Sequence, residues 1–146
     1  MMIRTAKCCC GKTSIELDGD PLLNLVCHCN NCRSRTGSAF GMSCYFSNNQ
    51  VISVTGEMNV YKINNADTEQ KRYFCGTCGT TLYWKLSRFP GLPNASTLTG
   101  VAGGCFPSTS LPPPTISAQD GDRHAWLALQ FMDGSNADNL ERSTDP

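Results

Sequence analysis

The chain has 146 residues, and its twelve basic and twelve acidic side chains give a formal net charge of zero. This length fits one domain with a modest core, and a neutral chain lacks the electrostatic attraction on which nonspecific binding of nucleic acid or of an anionic membrane depends. The first seven residues hold no signal-peptide core and no later run is apolar enough to span a bilayer, so we expect a cytoplasmic protein that binds neither nucleic acid nor membrane.

Ten cysteines are a large number for a chain of this length. A reducing compartment disfavours structural disulfides, so the count favours metal binding or redox chemistry over a secreted disulfide scaffold. The first cysteines form the run Lys7-Cys8-Cys9-Cys10-Gly11. Because side chains alternate along an extended chain, Cys8 and Cys10 point to one side and Cys9 to the other. We therefore predict Cys8 and Cys10 as metal ligands and Cys9 as a packing residue.

Short β-strands are predicted along most of the chain. Residues 13–17 alternate between apolar and polar, and residues 22–26 form an apolar strand after a turn. Further stretches rich in β-branched and aromatic residues predict strands at 39–46, 51–55, 58–63, 70–74, 81–85 and 96–101. The one short helical turn is expected between Asn30, as its cap, and Gly37, where it stops. The sequence thus predicts a mainly β fold of antiparallel sheets with little helix.

A C-x-C-x-x-C run, formed by Cys27, Cys29 and Cys32, follows the strand at 22–26. Thiolates suit Zn²⁺, and three sulfurs leave the fourth tetrahedral position to water or substrate, which is the arrangement of catalytic zinc sites. His28 would close that position only if its side chain turned inward. We expect it to point away, because it is flanked by two ligands.

The last cysteine pair lies in the segment Cys75-Gly76-Thr77-Cys78-Gly79. This pattern is typical of a zinc knuckle, a hairpin turn whose N–H groups approach the sulfurs and whose second glycine adopts positive φ. Because structural zinc sites are closed by four sulfurs, we expect this pair to share one ion with Cys8 and Cys10, which leaves the central three for an open site. The rival pairing, of Cys75 and Cys78 with two of the central three, remains open on the sequence alone.

Two cysteines outside these motifs are expected to be chemically inert. Cys44 falls in a predicted strand as a small buried hydrophobe, and Cys105 falls in a Gly/Pro loop. Nearer the end, residues 124–132 predict a closing strand centred on Trp126, which we assign to the core. Residues 133–146 are polar and predict a disordered tail, so the folded part is one domain of residues 1–132.

The cysteine motifs, in order, are Cys8-Cys9-Cys10-Gly11, then Cys27-His28-Cys29-Asn30-Asn31-Cys32-Arg33 with Thr36-Gly37-Ser38-Ala39-Phe40, then Phe74-Cys75-Gly76-Thr77-Cys78-Gly79. Together they resemble the glutathione-dependent formaldehyde-activating family, also called the CENP-V/GFA domain, over residues 7–126. The resemblance implies a Mss4-like β fold and two Zn²⁺ per chain. It implies a structural ion and a catalytic ion, whose ligands are Cys8, Cys10, Cys75 and Cys78 for the first and Cys27, Cys29 and Cys32 for the second.

This chain departs from the family pattern in two segments. Members often carry a histidine with an aromatic neighbour where this chain has Thr115-Ile116-Ser117-Ala118, and the Gly103-Gly104-Cys105 loop lacks the usual acidic character. Both segments are candidates for the wall of a substrate pocket. The substrate is therefore the least transferable of the family's properties.

The activity implied by the resemblance is that of a zinc-dependent carbon–sulfur lyase. Its substrate would be an adduct of a thiol, with glutathione as the expected co-substrate, and formaldehyde or a larger aldehyde. Arg33 and Arg35 are placed to attract carboxylates and Ser38 to donate a hydrogen bond, and each suits a solvated surface equally well. Because three thiolates weaken Zn²⁺ as a Lewis acid, we favour thiolate delivery and positioning.

Two hypotheses from other classes compete with the enzyme. One is a non-catalytic zinc-binding module for protein interaction, and the other is a redox sensor that uses the vicinal thiols. The sequence indicates no oligomeric state.

Overall fold

The computed structural model describes residues 1–132. The predicted tail, 133–146, lies outside the described residues. The strands are β1 (Ile3–Lys7), β2 (Ser14–Asp18), β3 (Leu23–Cys27), β4 (Gly41–Ser47), β5 (Val51–Thr55), β6 (Met58–Asn64), β7 (Glu69–Cys75), β8 (Thr81–Arg88), β9 (Leu98–Ala102) and β10 (Ile116–Ala118), and the helix α1 is Asn30–Thr36. The mainly β class with little helix is confirmed. In this part of the chain no helix is both long and apolar enough to cross a membrane.

The strands form two sheets. The small sheet has the order β1-β2-β5, and the large sheet has the order β10-β3-β4-β9-β8-β7-β6. The pairings within residues 1–132 are antiparallel, as predicted, except that β10 runs parallel to β3. A long connection after β9 makes this possible, because a parallel neighbour needs a crossover rather than a tight hairpin.

Two apolar clusters lie on opposite faces of the large sheet. Alternation along β4 sends Phe46 to one face and Tyr45 to the other. The Phe46 face packs against the small sheet, where Ile15 is fully buried. The Tyr45 face carries Trp84 and is covered by apolar residues of the segment 89–98. The cleft described below opens on this second face.

The predicted closing strand at 124–132 is wrong. This stretch forms a turn and then a 3-10 helix at Gln130–Met132. Trp126 is 73% exposed, and its ring stacks on His124 at 5.4 Å between centroids instead of lying in the core. The strand that completes one edge of the large sheet is β10 instead, and β6 forms the other edge. The three residues of β10 lie between a proline-rich loop and Gln119, whose φ is 54°, so the strand is too short for an alternating pattern to reveal it.

Two local expectations are also corrected. Cys9 is exposed and does not pack, because it lies in the tight turn that follows β1. The N-cap of α1 is Cys29 and not Asn30, since the Cys29 sulfur accepts the N–H of Cys32 at 3.3 Å. Gly37 ends the helix in the left-handed conformation, at φ 65°, as predicted.

Candidate metal centres and the adjoining cleft

The first candidate metal centre joins two turns that are distant in sequence. The sulfurs of Cys8, Cys10, Cys75 and Cys78 all lie within 4.8 Å of one another. The sulfur of Cys10 lies 3.6 Å from that of Cys8 and 3.7 Å from that of Cys75. These distances are far longer than the roughly 2.05 Å of a disulfide, and they match the edge of about 3.8 Å of a tetrahedron with Zn–S bonds of about 2.3 Å. The four sulfurs therefore fit a closed tetrahedral zinc ion.

The turns around this group are built to hold thiolates. The N–H groups two and three residues after Cys75 donate to its sulfur at 3.4 and 3.5 Å, and the N–H of Thr13 donates to the Cys8 sulfur at 3.3 Å. The hydroxyl of Thr80 lies 3.2 Å from the Cys78 sulfur and is the main reason that the pKa of Cys78 is lowered to about 5. Hydrogen bonds to the charged form of a thiol favour metal ligation at neutral pH.

The second candidate metal centre is formed by Cys27, Cys29 and Cys32, whose sulfurs also lie within 4.8 Å of one another. Cys27 ends β3, Cys29 caps α1, and Cys32 lies in the first turn of the helix. Contacts with the other two sulfurs and backbone N–H groups lower the pKa of Cys29. Within residues 1–132 no fourth His, Cys, Asp or Glu completes this group. The donor set fits a metal ion that keeps one position open.

His28 lies between two of these thiols but points away from them. Its side chain is fully buried, and Nε2 lies 3.1 Å from the Ser117 hydroxyl. Its backbone N–H donates to the carbonyl of Ala118 at 3.1 Å. His28 therefore fastens the cysteine loop to β10 and does not belong to the metal group.

A cleft opens beside Cys27, Cys29 and Cys32. Its enclosed volume is about 60 Å³, or about 730 Å³ when the open solvent at its mouth is included. One part of its wall is apolar and another is polar. The residues that matter below are Trp84, Phe89 and Leu92 on the apolar part and Arg35, Gln70 and Arg72 on the polar part. Tyr45 also lines the cleft, and its hydroxyl accepts a hydrogen bond from the indole N–H of Trp84 at 3.4 Å.

The three residues predicted to contact substrate lie in different places. Arg35 lines the cleft, and its guanidinium lies 4.5 Å from the ring centroid of Trp84. Arg33 donates to the side-chain oxygen of Asn30 on the surface of α1, and Ser38 is exposed just beyond the helix. Neither Arg33 nor Ser38 is among the residues that line the cleft. Their roles in binding remain predictions.

The sequence reasoning did not find Tyr45, Gln70, Arg72 or Trp84 as cleft residues. One signal was present. Gln70 and Arg72 are two residues apart in β7, so they share a face of the strand, and both are buried. A charged residue on the inward face of a strand is a sign of a polar site, but residues 69–72 are polar on both faces, so the sequence alone did not show which face is inward.

The remaining thiols are poor nucleophiles where they are buried. Burial raises the pKa of Cys44 to about 12, and Cys44 is fully buried, as predicted. Burial likewise raises the pKa of the partly buried Cys105 to about 11. All ten cysteines carry free thiols. The structure thus groups seven of them into the two candidate centres and leaves three apart.

Two sheets, a four-thiol group and a three-thiol group beside a cleft define a β protein with two candidate metal centres. Residues 3–118 match the model of the glutathione-dependent formaldehyde-activating enzyme family. The chain therefore belongs to that family. Among curated proteins none matches at a significant level.

The fold has a counterpart among solved structures. The crystal structure of a Rhodobacter sphaeroides protein, a structural genomics target, is similar with a TM-score of 0.53 and 20% sequence identity. The match covers 72% of this chain and 89% of that chain. At this identity the likeness shows a shared fold.

Proposed function

We propose that this protein is a zinc-dependent carbon–sulfur lyase that acts on the adduct of a thiol, such as glutathione, with formaldehyde or a larger aldehyde. The observation that carries the proposal is the position of the three-thiol group, which lines the cleft, while the four-thiol group does not. A metal ion held by three thiolates and open toward a cleft has a place for an outside ligand. Membership of a formaldehyde-activating family supports the same reaction.

The reaction is an addition and its reverse. In the forward direction the thiol sulfur forms a bond to the carbonyl carbon, and the thiol proton ends on the carbonyl oxygen to give a hydroxyl. In reverse the carbon–sulfur bond breaks and the proton returns to sulfur. A bound zinc ion supplies stabilisation of the sulfur as a thiolate.

The residues of the chain itself hold and orient the reactants. Cys27, Cys29 and Cys32 would hold the ion at the cleft wall, and the indole of Trp84 forms an apolar part of the same wall. Burial raises the pKa of Tyr45, so its hydroxyl keeps its proton at neutral pH. Because that hydroxyl already accepts a hydrogen bond from Trp84, its own proton is available to donate to the hydroxyl oxygen of the adduct.

Metal content and ligand exchange test this proposal. Purified protein should carry two zinc ions per chain, and cobalt should replace the ion in the three-thiol group. Added glutathione should change the visible spectrum of that cobalt. Magnetisation-exchange NMR should show faster exchange between glutathione and its S-hydroxymethyl adduct with the protein than without it.

The Cys29→Ser variant gives the comparison. It should lose the spectral response and the faster exchange while it keeps the ion in the four-thiol group. An unchanged cobalt spectrum together with an unchanged exchange rate would contradict the enzyme and favour a non-catalytic zinc-binding module. Loss of free thiols on mild oxidation with the metal retained would favour a redox sensor.

A further inference from the structure

Arg72 is a buried cation without an evident partner. It lies in the middle of β7, its residue is 8% exposed, and it lines the cleft. Its Nε has no hydrogen-bond partner, and the ion pairs found within residues 1–132 involve other arginines. Burial lowers the pKa of Arg72, which records the cost of keeping a charge at this position. A guanidinium nevertheless stays charged in proteins.

Arg35 brings a second cation to the same cleft from α1. Its guanidinium stacks on Trp84, and its Nη2 is buried without a hydrogen-bond partner. The two arginines act on each other electrostatically, and the repulsion contributes to the lowered pKa of Arg72. No Asp or Glu of the described chain lines the cleft. Two cations therefore line one cleft, and each has a buried nitrogen without a hydrogen-bond partner.

The thiolates balance only part of this charge. Cys32 interacts electrostatically with both arginines. With a divalent zinc ion bound, the three thiolates carry one formal negative charge, which offsets one of the two arginines. A substrate thiolate on the ion would offset the other, so the need for an oxyanion comes from the buried N–H groups that lack an acceptor and not from the net charge.

The neighbouring groups indicate the rest of the ligand. Gln70 is 4% exposed, lines the cleft beside Arg72 on the same face of β7, and has an Oε1 without a hydrogen-bond partner. Because this oxygen accepts, it suits an N–H or O–H group of the ligand and not its carboxylate. The wall formed by Trp84, Phe89 and Leu92 is apolar. A molecule with a carboxylate at one end, and with carbon chain against this wall, matches both parts.

We propose that Arg72 and Arg35 form an anion-binding subsite in the cleft, so that the preferred substrate carries a carboxylate on its thiol or aldehyde component. This inference rests on the proposed function in taking the cleft beside the three thiols as the substrate site. The proposal gives a residue of β7, Arg72, a role in substrate specificity, beside the three cysteines that would bind the metal.

Two thiols that differ in charge but share a chain length provide the test. Their binding to cobalt-substituted protein is followed by titration of the visible spectrum. 3-Mercaptopropionate should bind about tenfold or more tightly than 3-mercapto-1-propanol, because a hydrogen-bonded buried charge pair is worth at least that much. Equal affinity of the unmodified protein for the two thiols would overturn the subsite without the need for any variant.

Arg72→Gln should remove most of the preference for the acid and change the affinity for the neutral thiol less than about twofold. Lys71→Gln is the matched control, because Lys71 is the exposed neighbour on the opposite face of β7, and it should keep the preference. Arg72→Lys should restore part of the preference through its charge. An equal loss of affinity for both thiols, or loss of cobalt from Arg72→Gln, would overturn the proposal by showing that Arg72 serves the metal group.

The outcomes separate this inference from the proposed function. A retained preference for the acid without faster adduct exchange overturns the lyase and keeps the subsite. Faster exchange with no preference for the acid overturns the subsite and keeps the lyase. If Arg72→Gln fails to fold, as circular dichroism would show, the two-thiol comparison on the unmodified protein and Arg72→Lys decides.

Discussion

Gly100, on β9, shows how a single missing side chain shapes the cleft. Its partners in the sheet are Trp84 on the neighbouring strand β8 and Tyr45 on the neighbouring strand β4. A Cβ at this position would lie 2.0 Å from the indole nitrogen of Trp84. The indole therefore lies directly over the glycine, and this lets it reach the Tyr45 hydroxyl and form the cleft wall.

Gly100→Ala is expected to destabilise the fold by about 1–3 kcal/mol, because the indole must leave its place in a packed core. The displaced Trp84 should also weaken thiol binding in the cleft. Chemical denaturation at fixed zinc concentration measures the first effect, and cobalt titration measures the second.

Gly104→Ala provides the comparison, since nothing lies within 4 Å of a Cβ built there. It should change the stability by less than about 0.5 kcal/mol. Equal stability of the Gly100 and Gly104 variants would show that Trp84 has room to move and does not fix the wall.

At the level of elements, β10 fastens the central cysteine loop. Ser117, fully buried, donates from its hydroxyl to Asp120 at 2.9 Å and lies 3.1 Å from Nε2 of His28. Because the hydroxyl proton is used on Asp120, His28 donates from Nε2, which fixes the neutral tautomer. Burial lowers the pKa of His28, in agreement with a neutral ring. The strand thus holds the loop that carries Cys27 and Cys29 in place, although β10 itself contributes no thiol to the group.

Ser117→Ala should leave the Nε2–H of His28 buried without an acceptor, at a cost of about 1–3 kcal/mol. The loosened loop should also release the ion of the three-thiol group first when a chelator is added. Time-resolved metal release with a colorimetric chelator distinguishes this from a general loss of stability.

Ser34→Ala, at an exposed position of α1, is the matched control and should behave as the unmodified protein within about 0.5 kcal/mol. If Ser117→Ala released both ions at the same accelerated rate, β10 would act on the whole fold and not on the cysteine loop.

The elements differ in how much of them the sequence predicts. β6, β7 and β8 end within three residues of the predicted bounds, because each is long enough for strand-forming composition and turn residues to identify it. The grouping of the thiols follows from spacing and ligand count, and the structure places Cys75 and Cys78 with Cys8 and Cys10. These are local patterns with a direct physical cause.

The walls of the cleft could not be predicted in the same way. Arg72 and Trp84 meet because β7 and β8 pair in one particular register, and Leu92 joins them only because the segment after β8 folds back over the sheet. The apolar segment centred on Trp126 predicts a core position for this residue, yet Trp126 stacks on His124 at the surface. Such contacts depend on the path of the whole chain, and no periodic pattern in the sequence marks them.

At the scale of the whole molecule, the four-thiol group joins the start of the small sheet to the hairpin of β7 and β8. Cys10 and Cys75 are 65 residues apart in sequence, and their sulfurs lie 3.7 Å apart. Metal binding that closes such a distance contributes directly to the free energy of folding, because the unfolded chain offers no formed site. The three thiols of the central group, in contrast, lie within six consecutive residues, Cys27 to Cys32, which local structure already holds together.

This difference predicts an asymmetry between two single substitutions. Cys75→Ser should open the closed group and unfold or strongly destabilise the zinc-loaded protein. Cys29→Ser should lower the melting temperature only slightly and abolish thiol binding. Cys9→Ser should change neither, since the Cys9 side chain is exposed and belongs to neither group. Thermal melts of the three variants at equal zinc concentration, with metal content measured on the same samples, test the prediction. Equal losses of melting temperature for Cys75→Ser and Cys29→Ser would mean that both ions stabilise the fold. The division between a structural and a catalytic centre would then be wrong, although the unmodified chain has both sulfur groups.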